Sequence, residues 1–210
     1  MKRIHIALVA MCLALNANAQ NIDDIFTKSI ENKQPSHVKG EIPVVDGKVV
    51  LTKTLHIPGR SRDELYAILG NYVERRYEPT MERGIWQNDN FFKNTEFSNV
   101  KTADRGKGEI ICQGAEELVF KQATLVKDWT EVYYKAVFDV TDENITMTLS
   151  NIFYIYKAAD GSKLTAEEWI TDDAVFTKRG KIRTRPAKFR AKTLKLMDGI
   201  IDDLTTITQK

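Results

Sequence analysis

The stretch from Val132 to Ile155 constrains the fold more than any other. Val132, Tyr134, Ala136, Phe138 and Val140 alternate with Tyr133, Lys135, Val137 and Asp139. After a polar turn at residues 141–144, Ile145, Met147, Leu149, Phe153 and Ile155 alternate with Thr146, Thr148 and Ser150. A period of two over runs this long belongs to β-strands with one face in a core, and the short polar connection makes them an antiparallel hairpin. Beyond Asn151 the pattern changes, because Ile152, Tyr154 and Tyr156 stand where threonines stood. That end of the sheet is expected to be covered on both faces or to line something.

The flanking segments supply partners for such a sheet. In DGKVVLTKTLHIPG, Asp46-Gly47 reads as a turn, and Val49, Leu51, Leu55 and Ile57 share one face of a strand opposite Thr52, Thr54 and His56. Pro58-Gly59 ends it. In SRDELYAILGNYVERRY, Ser61 followed three residues later by Glu64 is a capping box, in which each side chain satisfies an amide of the first helical turn. Leu65, Ile68, Leu69, Tyr72 and Val73 fall on one side of that helix, with Glu74, Arg75 and Glu78 outside. Residues 79–104, rich in asparagine, read as loop around a short strand near Phe97. GEIICQGAEELVF reads as a strand bulged at Gly114. A last helix, beginning near Pro186, carries a stripe of Phe189, Leu194, Leu196, Met197, Ile200, Ile201, Leu204 and Ile207, with Trp169 in the loop before it. The fold class expected is α+β, an antiparallel sheet with helices on one face.

The N-terminus bears on compartment. Lys2 and Arg3 precede the apolar run from Ile4 to Leu15, and Ala17-Asn18-Ala19 forms a small-x-small cleavage site, the three parts of a secretory signal peptide. The expected organisation is a signal peptide at 1–19, a linker or short helix at 20–40 and a single domain at 41–210, in a periplasmic or extracellular product. Met11 before Cys12 argues against a lipid anchor. The chain has 31 basic and 29 acidic residues, and the leader removes Lys2 and Arg3 but no acid, so the mature chain is formally neutral. One cysteine remains, Cys112, which excludes an intramolecular disulfide and leaves the core to hold the fold.

Chemistry-bearing constellations are sparse. The mature chain has His37 and His56, neither beside a nucleophile motif, and no HExxH or cysteine pair that would hold a metal. Cys112 follows Ile110 and Ile111, where a thiol behaves as a small hydrophobe. Glu116-Glu117, Glu167-Glu168 and Asp172-Asp173 are carboxylate pairs that a hydrolase would divide into acid and base, although neighbouring acids on a strand face opposite ways. No catalytic residue, cofactor or metal site is expected.

The passages DGKVVLTKTLHIPGRSRDELY, TLSNIFYIY, AEEWITDD and KFRAKTLKLMDGII resemble an uncharacterised family of secreted bacterial proteins described as having a TATA-binding-protein-like (TBP-like) fold. The similarity runs from about Gly40 to Leu204, and it implies a β-α-β-β-β-β-α topology without any activity or functional residues. Duplex-DNA saddles of that architecture use two copies of the unit and wedge phenylalanines on a concave sheet. Here there is one copy, and Phe91 and Phe92 are adjacent in a loop, so nucleic acid is not the expected partner.

Three functional classes remain. The first is a non-enzymatic binding or interaction module, with a small hydrophobic molecule or another extracytoplasmic protein as partner. The second is a carrier holding an amphipathic ligand between the sheet and the last helix, at Ile152, Tyr154, Tyr156 and Trp169. The third is a carboxylate-dependent hydrolase. Separately, KRGKIRTRPAKFRAKTLK holds nine basic residues and no acid. Arg179, Lys181, Arg183 and Arg185 recur at every second position, so an extended backbone would align them as an anion-binding row. Internal pairing with Glu167, Glu168, Asp172 and Asp173 is the expected alternative. Lys188, Lys192 and Lys195 are expected on a wet helix face, with the stem of Arg190 lying near the apolar stripe.

Overall fold

In the computed structural model, the Asp46-Gly47 turn joins β1 (Val44–Val45) to β2 (Lys48–Val49). Both turn residues have left-handed φ, 50° and 74°, as a two-residue hairpin of this hand requires. The structure describes residues 38–77, 98–123, 126–156 and 161–209. The leader, residues 20–37 with His37, and the stretch containing Phe91, Phe92 and Phe97 lie outside the described residues.

Strand β3 (Leu51–His56) leads into helix α1 (Arg62–Arg76). The capping box forms as expected: the Glu64 amide donates to Ser61 Oγ and the Ser61 amide donates to Glu64 Oε2 at 2.9 Å. A second restraint comes from the polar turn at residues 142–143, because the Arg62 amide donates to Asp142 Oδ1 at 2.9 Å. Leu65, Leu69, Tyr72 and Val73 are buried by this helix, with Ile68 half-buried beside them.

Four strands follow: β4 (Asn99–Asp104), β5 (Glu109–Ala123), β6 (Val126–Thr141) and β7 (Asn144–Ile155). The sheet is antiparallel in the order β3-β7-β6-β5-β4, and β8 (Lys163–Thr165) pairs with the far end of β7. Two short helices, α2 (Ala166–Trp169) and α3 (Asp172–Val175), precede the long α4 (Thr184–Thr208). The α+β class and the order strand, helix, four strands, helix are therefore as expected. The small hairpin, β8, α2 and α3 are additions to that plan.

Several boundaries differ from the sequence pattern. The short strand expected near Phe97 lies at residues 99–104, and α4 begins two residues before Pro186. Strand β5 is bulged at Phe120 and not at Gly114, since Val119 pairs with Trp129 and Lys121 with Asp128. Gly114 has a different job. It sits opposite Tyr134, and a Cβ there would collide with the tyrosine ring. A glycine in a strand interior often marks such a close approach.

The core lies between one sheet face and the helices. Leu51, Ile110, Phe138, Met147 and Leu149 meet Leu65 and Leu69 of α1 and Met197, Ile200 and Leu204 of α4, all nearly or fully buried. Each large side chain so buried contributes on the order of 2 kcal/mol. Val175, Phe176 and Ala187 form a smaller cluster with Ile182 at the elbow between α3 and α4. Residues Lys39–Lys210 make one compact unit.

Candidate functional site

The residues expected to line a ligand site are brought together, by a device the alternation did not reveal. Between the pairs Tyr133–Phe153 and Lys135–Ser150, β7 holds one residue more than β6, and Asn151 takes a left-handed φ of 52°. That bulge reverses the facing of every later residue on the strand. Ile152, Tyr154 and Tyr156 consequently continue the core stripe of Ile145, Met147 and Leu149. Phe153 and Ile155, expected in that stripe, turn to the opposite face, where Phe153 stacks on Tyr133 at 4.8 Å and 6°.

Phe189 of α4 is the hub of the resulting cluster. Its ring centroid lies 5.0 Å from Tyr154, 5.3 Å from Tyr156, 4.9 Å from Trp169 and 4.7 Å from Phe120. Trp169 is not in a loop: it ends α2, whose own capping box joins Thr165 to Glu168. The polar handles of the cluster are committed internally. The Tyr154 and Thr193 hydroxyls share a hydrogen bond of 2.7 Å, and burial pushes the Tyr154 phenol above its ordinary value. The Tyr156 hydroxyl donates to Asp128 Oδ1 at 2.8 Å and accepts from Lys188 Nζ at 3.0 Å.

Lys188 is thus no wet-face residue. Its ammonium is ion-paired to Asp128 at 2.7 Å and stands 4.3 Å over the Phe120 ring and 4.8 Å over Tyr156. Phe120 follows Leu118 by two residues on β5, so its ring falls on the helix side with the core stripe of that strand. Lysine over aromatic faces is a favourable cation–π arrangement, here adding to a charge-assisted hydrogen bond.

The basic run is not an extended row. Lys178 to Gly180 form a tight turn between Phe176 and Ile182, held by the Thr177 amide to Lys181 O and the Gly180 amide to Thr177 O, both at 2.8 Å. Arg183 folds back, and its Nη1 donates to the carbonyls of Asp173, Ala174 and Phe176 at 2.7 to 2.9 Å. It satisfies free carbonyls at the end of α3. Arg179 and Lys181 remain exposed on the turn, and Arg185 is exposed in the first turn of α4.

Three of the acids expected to pair with that row, Asp172, Glu167 and Glu168, have other partners. Arg190, expected to lay only its stem along the stripe, is fully buried, with Nη1 donating to Asp172 Oδ1 at 2.8 Å and Nη2 3.5 Å from Glu41 Oε2. Asp172 Oδ2 accepts from the Gly40 amide at 2.7 Å. Burial pushes the Asp172 carboxyl up, but hydrogen bonds from Arg190 and Gly40 and the charges of Arg190 and Lys39 outweigh it and hold the group below its ordinary value. Glu167 accepts from the Val49 amide at 3.0 Å, and Glu168 caps α2.

At the other end of the helical layer, Arg76 Nη2 donates to both carboxylate oxygens of Glu116, at 2.8 and 3.0 Å, and its Nη1 reaches Asp203 at 3.3 Å. Tyr134 donates to Glu116 and Tyr72 to Asp203, tying α1, α4 and the sheet together. Glu117, its neighbour on the strand, faces away and pairs with Lys127. Cys112 is wholly buried, and desolvation pushes its thiol up to about 12. Among the described residues, no group of three or more histidine, cysteine, aspartate or glutamate side chains is placed to hold a metal ion.

The opposite sheet face carries Thr52 beside Thr148, Thr54 beside Thr146 and His56 beside Asn144, each pair linked across β3 and β7. Ser150, Lys135, Val137, Ile111 and Gln113 continue that face, half-buried. Tyr133 and Ile155 are buried on it and stand outside the main core cluster. Among the described residues, no helix packs there.

The comparisons agree with this geometry. A crystal structure of a DUF4468 family protein from Bacteroides ovatus is similar, with a TM-score of 0.71 and 28% identity over 85% of this chain and 96% of that one. A TBP-like protein from Parabacteroides distasonis shares the fold at a TM-score of 0.61 and 21% identity, over 80% and 97% of the two chains. No curated protein matches. The family model for a domain of unknown function (DUF4468) with TBP-like fold matches residues 51–155, from β3 through the end of β7, and the chain belongs to that family.

Proposed function

We propose that this chain is an exported, non-enzymatic binding module that presents the threonine-bearing face of its sheet, on which no helix packs among the described residues, to another extracytoplasmic protein. The observation that carries this is the asymmetry of the sheet. One face is filled by the side chains of α1, α2 and α4, while the other offers rows of hydroxyls and half-buried apolar residues. Mixed polar and apolar sheet surfaces of this kind suit protein partners, whereas small ligands favour concave sites. The non-enzymatic part is supported by where the ionisable groups are spent. Arg190 with Asp172, Arg76 with Glu116 and Lys188 with Asp128 are structural pairs, and Cys112 is protonated at neutral pH. The commitment of both tyrosine hydroxyls at Phe189 favours this module over a carrier.

Site-specific photo-crosslinking tests the reading in cells. A crosslinking residue at Thr148 on the open face is expected to capture a discrete partner, and one at Thr206, exposed on α4, is not. Equal capture from both positions would sink it. Cell fractionation with mass analysis tests export, expecting an extracytoplasmic product that lacks residues 1–19. Native mass spectrometry of that product separates module from carrier, because a small molecule retained through purification would favour the carrier.

A further inference from the structure

We propose that the turn between α3 and α4 is an electrostatic docking point for a phospholipid surface bearing anionic headgroups. It goes beyond the partner-binding face and rests on the export reading only for which membrane is met. Four cations make the point: Lys178, Arg179 and Lys181 on the turn and Arg185 in the next helical turn, all exposed. Among the described residues none of the four takes part in an ion pair. Arg183, in the middle of the run, is excluded because its guanidinium is spent on three carbonyls.

The backbone beneath these side chains is braced. The Phe176–Ile182 bridge, the Lys181 amide donating to Thr177 Oγ1 at 3.0 Å, and the Arg183 clamp hold the turn, so little backbone order is left to be gained on docking. The local field adds to the side-chain charge. Helix α4 is 25 residues long, has no acidic residue in its first turn and no side-chain cap, so its positive end points the same way. Of the nearby carboxylates, Asp172 is already held by Arg190 and the Gly40 amide, which leaves Asp173 exposed as the one opposing charge on α3.

An exposed turn whose neighbouring aromatic, Phe176, is buried fits an array of phosphates at a surface. Single-stranded nucleic acid is bound on stacking aromatics, and duplex readers place an element inside a groove. The turn offers neither. It belongs to the helical layer, so docking through it leaves the threonine-bearing sheet face turned away and free for a partner. Basic residues near an anionic surface each add a small increment that decays within a Debye length, so the attachment is reversible and salt-sensitive.

The test is co-sedimentation of the full chain lacking residues 1–19 with vesicles of phosphatidylglycerol and phosphatidylcholine in equal parts, against phosphatidylcholine alone. Binding is expected with the mixed vesicles at about 50 mM salt, with loss at about 500 mM. Replacing Lys178, Arg179, Lys181 and Arg185 together by glutamine is expected to lower partitioning on the order of tenfold or more with the circular dichroism spectrum unchanged. A control with Lys48, Lys101, Lys121 and Lys195 changed to glutamine carries the same charge change on other exposed positions and is expected to keep most of the binding. No binding to the mixed vesicles, or equal losses in the two variants, would overturn the proposal. Tighter binding to duplex DNA than to vesicles at the same salt would also overturn it, in favour of a nucleic-acid surface. The outcome is independent of the crosslinking at Thr148, so either reading can fail alone.

Discussion

Replacing Arg190 by methionine is the sharpest test of how the domain is fastened. Methionine keeps most of the stem's packing and removes the charge, so the measured change reports the ion pairs. Removing one member of a fully buried pair costs about 3–5 kcal/mol, most of it from the partner left uncompensated. Here the two partners keep some water, since the side chains of Asp172 and Glu41 are 36% and 28% exposed and Asp172 retains the Gly40 amide. The expected loss is therefore smaller, about 2–3 kcal/mol. Urea denaturation of wild type and variant, with unchanged slope, measures it directly. Adding Asp172→Asn to Arg190→Met removes one stranded charge, so the double variant is expected to be more stable than the sum of the two single losses by about 1–2 kcal/mol. A loss under about 1 kcal/mol for Arg190→Met, together with strict additivity, would refute the reasoning and make Arg190 a packing residue only.

The same pair fixes a pH dependence. The folded carboxyl of Asp172 titrates below its unfolded counterpart, so its contribution is present above the unfolded value and is lost as pH falls through the folded one. The stability gap between wild type and Asp172→Asn is accordingly expected to be widest near neutral pH and to close in acid, as read by denaturation at a series of pH values. Gly114→Ala is expected to cost about 2 kcal/mol, because the new methyl must displace the Tyr134 ring from its place against Glu116; a thermal melt unchanged from wild type would contradict this. Tyr156→Phe is expected to cost about 1–2 kcal/mol by unfolding, since it deletes a donor to Asp128 and an acceptor for Lys188. Cys112 is expected to resist thiol reagents at neutral pH in the folded chain and to react at once in denaturant, which a colorimetric thiol assay follows.

What could be read from residues alone was what depends on near neighbours. Ser61 and Glu64 lie within one turn, Asp46-Gly47 carries its own backbone preference, and the stripe on α4 repeats within the helix, so each was legible. Thr165-Ala166-Glu167-Glu168 carries the same capping pattern as Ser61–Glu64, and it would have placed Trp169 on a helix. Arg190 was not legible as buried, because its partners stand 18 and 149 positions away in sequence and only the fold supplies them. Lys188 was misplaced for the same reason, with Asp128 across the sheet. The row of basic residues failed as a row because a turn intervened, and the turn is stabilised by Gly180 at a φ of 78°.

The extra residue at Asn151 gives β7 two halves of opposite parity. Before it, odd-numbered residues face the helices; after it, even-numbered ones do. Strand β3 is zipped to the first half and β8 to the second, so each half has its own edge partner and keeps its own phase. A deletion at this one position would ask the chain to choose which half to turn inside out, exposing either Leu149 and Met147 or Tyr154 and Ile152. A substitution elsewhere in the strand alters one side chain, whereas a change of length here rewrites which side of the sheet the protein shows to its surroundings.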